Sequence, residues 1–404
     1  MNNWKKQFGI FYGSQAFTVI GASIVQFATT WWITLHTQSA TMLALAFVAA
    51  FVPNMILGPF AGVWIDRHNR RNMMIAADGL IALSSVALGA AFLLVEAPPL
   101  WFIFAMLMLR GLGNTFHRPA MQAAIPLLVP TELLTKAGGW GNMISSLAAM
   151  LGPVMGAGLM GVLPIAWIML VDIVSALLAI VCLLFLKIPD VASQEQEKVR
   201  LLADMKLGLT ALRQNKPLAA LFPVLIMMTI ITMPLWSFFP LLVRVHYAGT
   251  AWHNSAAEVL FAGGLLVSSL VLGVWGGMKR RFLMVSLALA LMGITTLASG
   301  LLPMSLFWVF LICCFLMGGT GSFIQVPIMA YAQETLAPEH MGKVFSLWGT
   351  AGSWAVPVGM LIGGPVTERI GVDMWFVWSG AALLLVGVVC YAVMRKHEKT
   401  AENC

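Results

Sequence analysis

Charge is what this 404-residue chain is short of. Only 10% of its residues are Asp, Glu, Lys or Arg, where a soluble domain carries about 25%. Water is therefore excluded as the main solvent of its surface. No hydrophilic stretch is long enough to fold as a separate soluble domain. The basic residues behind the formal charge of +7 lie in short, scattered clusters, so they make no phosphate-binding surface, and nucleic acid is excluded as a partner. A nucleotide loop of the G-x-x-x-x-G-K-[ST] type is missing, since Gly342-Lys343 is followed by Val344, which excludes a primary pump. His397-Glu398 lacks the second histidine of a zinc-protease helix, and no G-x-S-x-G is present, so the chain reads as no enzyme and needs no cofactor. Its five cysteines, Cys182, Cys313, Cys314, Cys390 and Cys404, include no C-x-x-C pair and imply neither a disulfide framework nor a metal site. No cleavable leader is expected either, because the first apolar run is too long for an h-region.

What is present is apolar: 60% of the residues are hydrophobic. Runs long enough to span a bilayer, about 20 residues each, fall near 8–35, 41–64, 73–95, 100–123, 138–160 and 165–187. A charged stretch follows, and six more runs fall near 218–243, 257–276, 282–302, 305–331, 344–367 and 374–394. Twelve spans with both termini cytoplasmic put 20 of the 23 Lys and Arg residues on the cytoplasmic side. That asymmetry fixes the orientation by the positive-inside rule. The expected organisation is a six-helix half over 1–187, a cytoplasmic linker over 188–216, a second six-helix half over 217–394 and a cytoplasmic tail over 395–404. Val199, Leu202, Met205, Leu209 and Leu212 keep helical spacing in the linker and predict an amphipathic helix there.

The two halves echo each other at an offset of about 208 residues. Gly111-Leu-Gly-Asn-Thr-Phe-His-Arg-Pro119 matches Gly319-Thr-Gly-Ser-Phe-Ile-Gln-Val-Pro327, and Gly62-Val-Trp matches Gly273-Val-Trp, each ahead of a basic loop. Two copies of six spans keep the same topology, which predicts pseudo-symmetry about an axis along the membrane normal and a solute site between the halves.

Four constellations carry chemistry. Gly62-Val-Trp-Ile-Asp66-Arg67-His-Asn-Arg70-Arg71 pairs an acid with arginines at a helix end, a latch that can open and close, with Gly62 read as a close-packing position. Arg110, near mid-span, costs at least about 2.5–3.5 kcal/mol to insert and needs a polar partner or water. Asp172 is the first candidate for a proton-carrying carboxyl coupled to it and Asp78 the second, since burial favours the protonated form of an acid; a purely structural ion pair is the alternative. Gly152-Pro153-Val-Met-Gly156 bends and closely packs the fifth span. Glu258 and Glu334 read as interfacial. For the solute cavity, depth and polarity select Gln26, Trp31, Asn114 and Asn142 in the first half. In the second half they select Trp236, Phe238, Phe239, Gln325, Tyr331, Trp348 and Trp354. With many methionines nearby, such a lining suits a bulky, largely apolar solute.

These motifs resemble those of the major facilitator superfamily. The Gly62–Arg71 loop matches its G-x-x-x-D-R-x-x-R-R signature, and Gly152–Gly156 is similar to the core of its antiporter motif, although Ala148 stands where that pattern has glycine. Further residues resemble the macrolide-efflux branch, among them Asn3-Trp4-Lys5, Ile56-Leu-Gly-Pro59, Met74-Ile-Ala-Ala-Asp78, Phe116-His-Arg-Pro-Ala120, Pro126-Leu-Leu-Val-Pro130, Arg213-Gln-Asn-Lys216 and Gly342-Lys-Val-Phe-Ser-Leu347. The resemblance implies an all-α, twelve-helix fold and proton-coupled macrolide export through the bacterial inner membrane. Arg110 is implied in the coupling. The partners expected are drug, protons and lipid; the carrier is expected to work as a monomer, and a partner ATPase is left open. The competing expectation is an exporter or flippase of an endogenous metabolite or lysolipid.

Overall fold

The computed structural model describes residues 4–186, 201–278 and 280–402. Among them every regular element is helical. The helices are α1 (Trp4–Thr37), α2 (Ala40–Arg67), α3 (Arg70–Leu94), α4 (Leu100–Leu128), α5 (Leu134–Met160), α6 (Ile165–Phe185), α7 (Leu201–Gln214), α8 (Lys216–Leu241), α9 (Ala251–Trp275), α10 (Arg281–Leu301), α11 (Phe307–Thr335), α12 (Pro338–Ile370) and α13 (Val372–Glu402).

Helix ends follow local chemistry. Asn69 caps α3 by accepting from the Asn72 N–H, and Asn215 caps α8 by accepting from Leu218, each satisfying an orphan donor of a first turn. Gly276, at φ 77°, ends α9 in the left-handed conformation. Eleven of the helices are long and apolar enough to cross a bilayer. The twelfth span, α4, has ample length at 29 residues, but Arg110, Asn114, His117 and Arg118 within it lower its hydropathy. Outward faces are apolar throughout: Leu83, Val174, Leu270, Val274, Ile294 and Leu385 are all more than half exposed. A surface of that kind is stable against lipid, and the chain is a multi-pass membrane protein.

The chain divides into two compact units: Met1–His36 with Leu45–Lys198, and Thr37–Ala44 with Val199–Cys404. In unit 1, α3 packs on both α4 and α6, around Met74, Leu88, Ile103 and Ile168. Closeness rests on missing side chains. A Cβ at Gly111 would collide with the Ala50 carbonyl, bringing α4 onto α2, and one at Gly89 would come within 3.4 Å of Met169 on α6.

Unit 2 repeats this scheme, with α10 packed on α11 and α13 and α9 packed on α11. A Cβ at Gly318 would collide with the Phe261 carbonyl, and one at Gly300 would press on Val377 at 2.9 Å. Its core is aromatic, with Phe238, Phe310 and Phe376 fully buried. Ser39 Oγ and the Thr41 N–H both donate to Glu368, so a carboxylate sits on the first turn of α2, where a helix favours negative charge.

The linker helix is realised as α7 over its described part. It packs on α12: Ala211 and Leu212 are buried, and Gly208 lies against the backbone of Lys343. Residues 188–200, Lys279 and Cys404 lie outside the described residues, as does the side chain of Asp66.

Candidate functional site

Among the described residues of unit 1, two acids and two basic side chains lie almost wholly out of contact with solvent, and they sort into two pairs. The first is Arg110 and Asp172, whose side chains are 6% and 1% exposed. Arg110 Nη1 bonds Asp172 Oδ2 and Arg110 Nη2 donates to Oδ1 at 3.3 Å, a forked, bidentate geometry. Ser85 on α3 donates to the same Oδ2 at 2.6 Å, and Arg110 also reaches Ser85 Oγ at 3.2 Å and the Ala22 carbonyl of α1 at 3.3 Å. Four helices thus meet on one charge pair. Taking each ion out of water costs several kcal/mol, which only bidentate contact and satisfied lone pairs recover. Here both conditions are met.

The second pair is Asp78 on α3 and His117 on α4. His117 Nε2 lies 3.2 Å from Asp78 Oδ1, and neither carboxyl oxygen has a well-formed hydrogen bond. Their surroundings are apolar: Met74 and Ala120 are fully buried one turn away on either helix. A single imidazole–carboxylate contact without a well-formed hydrogen bond differs in kind from the locked, bidentate guanidinium pair.

In the basic loop, Arg71 and His68 have defined contacts within unit 1. Arg71 Nη2 donates to the Leu184 carbonyl at 2.9 Å, tying the start of α3 to the C-terminal turn of α6, where a cation is favoured. His68 stacks on Trp64, with ring centroids 5.5 Å apart, and Arg67 is exposed. Gly62 is not at a close approach: a Cβ there would meet nothing within 4 Å. The close-packing reading does hold geometrically for the antiporter motif. A Cβ at Gly152 would collide with Ser23, and one at Gly156 would sit 2.7 Å from the Phe27 ring, so α5 lies directly on α1. Ser23 Oγ donates to the Ala148 carbonyl at 2.9 Å in the turn that Pro153 weakens.

Unit 2 contains a cavity of about 470 Å³, within the size range of small-molecule sites. Trp236, Gln325 and Trp348 line it, as do Phe261 and five methionines, Met228, Met233, Met292, Met317 and Met329. Trp236 lies against Phe261 with centroids 4.0 Å apart. Phe239 stacks parallel to Trp236 behind it and is itself buried, as is Phe238. Tyr331 contacts Phe282 and does not line the cavity; Trp354 is exposed elsewhere on α12. In unit 1, Trp31 is buried in the helix packing, whereas Gln26, Asn114 and Asn142 are exposed. Gln26 donates to Thr30.

Two polar residues, Ser85 and His117, have no role in the sequence expectation. Ser85 and His117 matter only because helix rotation brings them onto charged partners on other helices. Glu258 sits seven residues into α9, half-buried, and accepts from Asn254 Nδ2 at 2.8 Å. Its echo in that expectation, Glu334, is exposed and bonds both Arg281 nitrogens at 2.6 and 2.8 Å.

Comparison with known proteins adds the family. The family model described as Major Facilitator Superfamily matches residues 11–257 and 248–403. The chain belongs to the major facilitator superfamily. It is 36% identical over 390 residues to Macrolide efflux protein A of Streptococcus pyogenes, covering 96% of both chains. It is also 36% identical over 323 residues to the Enterococcus faecalis protein of that name, covering 80% of this chain and 99% of that one. Among solved structures, a bacterial homologue of the lysosomal transporter Spinster superposes with a TM-score of 0.74 at 11% identity, covering 99% and 98% of the two chains. A bacterial homologue of the iron transporter ferroportin gives 0.73 at 17% identity, covering 96% and 98%. These likenesses show a shared fold, and the family match with the near-full-length relatives marks the chain as a transporter rather than an enzyme.

Proposed function

We propose that this superfamily member exports macrolide antibiotics, or similarly bulky amphipathic drugs, across the bacterial cytoplasmic membrane in exchange for protons. Near-full-length identity to proteins named for macrolide efflux is the observation that carries this reading. The two six-helix halves, 1–187 and 217–394, would rock in alternating access with both termini cytoplasmic, each monomer working alone. The Met- and Trp-lined cavity supports an apolar cargo, because thioethers and indoles adapt to bulky shapes. Buried titratable groups in unit 1 support the coupling. Arg110 and Asp172 form the fixed-charge brace of the four helices. Asp78 and His117, which face each other with no well-formed hydrogen bond on either carboxyl oxygen, carry the proton in this scheme. Arg67, Arg70 and Arg71, with Asp66, govern the cytoplasmic latch.

The test is macrolide accumulation in everted membrane vesicles under an imposed pH gradient. Uptake should follow the gradient, collapse with an uncoupler and survive ATP depletion. Uptake that persists with the uncoupler and stops on ATP depletion would overturn the proposal.

A further inference from the structure

The bonds of Arg110 fix how three helices of unit 1 lie in register. From α4 it donates to Ser85 Oγ on α3 and to the Ala22 carbonyl on α1, at 3.2 and 3.3 Å, so these three residues share one level. A step of seven residues is two turns and stays on the same helix flank. Because α4 runs antiparallel to α1 and α3, the same direction means counting back on α1 and α3 and forward on α4. That step reaches Gln15, Asp78 and His117. The register holds where it can be checked: His117 Nε2 lies 3.2 Å from Asp78 Oδ1. A Cβ at Gly113, one turn from His117, would come within 2.9 Å of the Ala77 carbonyl. One turn further along all three helices, Phe11, Met74 and Ala120 belong to a single buried cluster.

Gln15 is thus the third member of the level that holds the Asp78–His117 pair. It is 2% exposed, and neither its Oε1 nor its Nε2 has a hydrogen-bond partner. Both Asp78 oxygens and His117 Nε2 are likewise buried without a well-formed bond. Polar atoms on three helices therefore stand unmet at one level, which is costly unless something bonds them. Neighbouring groups do not: the Ser14 and Thr18 hydroxyls donate to carbonyls of their own helix. Arg110 and Asp172, the next charges along the unit, are engaged with each other and with Ser85. The unmet atoms say what fits. A primary amide needs both an acceptor for its N–H and a donor for its oxygen, and a carboxylate needs donors. A metal cation would bond the oxygens and leave the Gln15 N–H unmet. Water satisfies both kinds, and buried waters typically bridge groups of this sort.

We infer that Gln15, Asp78 and His117 form a buried water-binding site in which Gln15 is the positioning residue. Its amide N–H donates to the water oxygen, and the water donates to the Asp78 carboxylate. This rests on the reading of Asp78 and His117 as the proton carriers and names the species that hands them the proton. One water O–H proton passes to the Asp78 carboxylate while the water oxygen takes a proton from hydronium on its other side. The oxygen stays in place, and the site gains one proton.

Gln15→Met removes the amide at nearly constant volume. Infrared difference spectra of purified protein in lipid nanodiscs, in ordinary and in heavy-oxygen water, would report a buried water as an O–H stretching band that shifts with the isotope. Wild type should show such a band, and Gln15→Met should lose it. Gln15→Met should also melt no lower than wild type and bind erythromycin within about twofold, while gradient-driven efflux from vesicles falls at least fivefold. Gln15→Asn, which keeps the amide, should retain the band and part of the efflux. Added to Asp78→Asn, Gln15→Met should lower efflux no further. A wild type without the band, or Gln15→Met that keeps it, would overturn the water site. Loss of the band with efflux at the wild-type level would overturn the part of Gln15 in proton delivery, as would drug affinity falling in step with efflux. Asp78→Asn that exports at the wild-type rate under a pH gradient, with the Gln15-dependent band present, would leave the water site standing and remove the proton-carrier reading.

Discussion

The two units share a backbone plan and differ in what fills it. Gly111 admits the Ala50 carbonyl in unit 1 and Gly318 admits the Phe261 carbonyl in unit 2; Gly89 meets Met169 as Gly300 meets Val377. These contacts align the copies in space, with Gly111 answering to Gly318 rather than to the Gly319 of the sequence match. One step back from Gly111 and Gly318 gives Arg110 and Met317, four back from Gly89 and Gly300 gives Ser85 and Thr296, and three on from Met169 and Val377 gives Asp172 and Gly380. Where Ser85 Oγ lies 3.2 Å from Arg110 Nη1, Thr296 Oγ1 lies 3.3 Å from Met317 Sδ. Where Asp172 closes the ion pair, Gly380 packs against Leu297 and Gly293. One copy has a dry charge network and the other a methionine and a close helix crossing at the same lattice points. A pseudo-symmetric fold can therefore keep its helix contacts while dividing labour, with charge held in one unit and cavity surface in the other.

The largest expected effect comes from converting one copy toward the other. Arg110→Ala leaves Asp172 buried and unpaired and should destabilise the protein by about 3–5 kcal/mol, seen in its thermal unfolding in detergent, and abolish gradient-driven efflux. Arg110→Lys should rescue poorly, since the fork geometry is lost. The double change Arg110→Met with Asp172→Gly copies unit 2; it should recover most of the lost stability yet remain inactive. Recovery of transport by that double variant would break the division of labour.

Gly111→Ala and Gly318→Ala probe what the copies share. Each new Cβ meets a carbonyl at a helix crossing, so both should cost about 1–3 kcal/mol as overpacking; a large cost in only one unit would show that the crossings are not equivalent. Asp78→Asn and His117→Gln should each lower efflux under a pH gradient at least tenfold while changing unfolding temperature little, because neither breaks a well-formed hydrogen bond. Gly62→Ala is the smallest change, within about 0.5 kcal/mol, since open space surrounds the new methyl group.

Spans were legible because length and apolarity alone define them; the observed ends differ from the sequence expectation by a few residues at most helices, and by six or more at the starts of α9 and α12 and the end of α13. The Arg110–Asp172 pairing was legible too, as opposite charges in the same bilayer must find each other. Helix rotation was not. In a soluble protein apolar periodicity marks the inner face, but here Leu270 is 62% exposed and Leu272 is 6% exposed on the same helix. Lipid-facing and protein-facing surfaces are equally apolar, so the sequence does not reveal which side of a span is inside. Ser85 and His117 were hidden for that reason, and Gly62 was overread for the same one. Small residues mark close crossings only when they point inward.

The central claim is the division itself, and paired measurement of macrolide binding and proton movement tests it most directly. Reconstituted vesicles carrying Asp78→Asn, Trp236→Ala or no change would be assayed for drug affinity and for drug-induced proton release. Asp78→Asn should bind macrolide within about twofold of wild type and release no protons. Trp236→Ala should bind at least fivefold more weakly, yet release the same number of protons per drug bound at saturation. An Asp78→Asn protein that loses drug affinity but keeps proton release, or a Trp236→Ala protein that binds normally but no longer moves protons, would contradict the account.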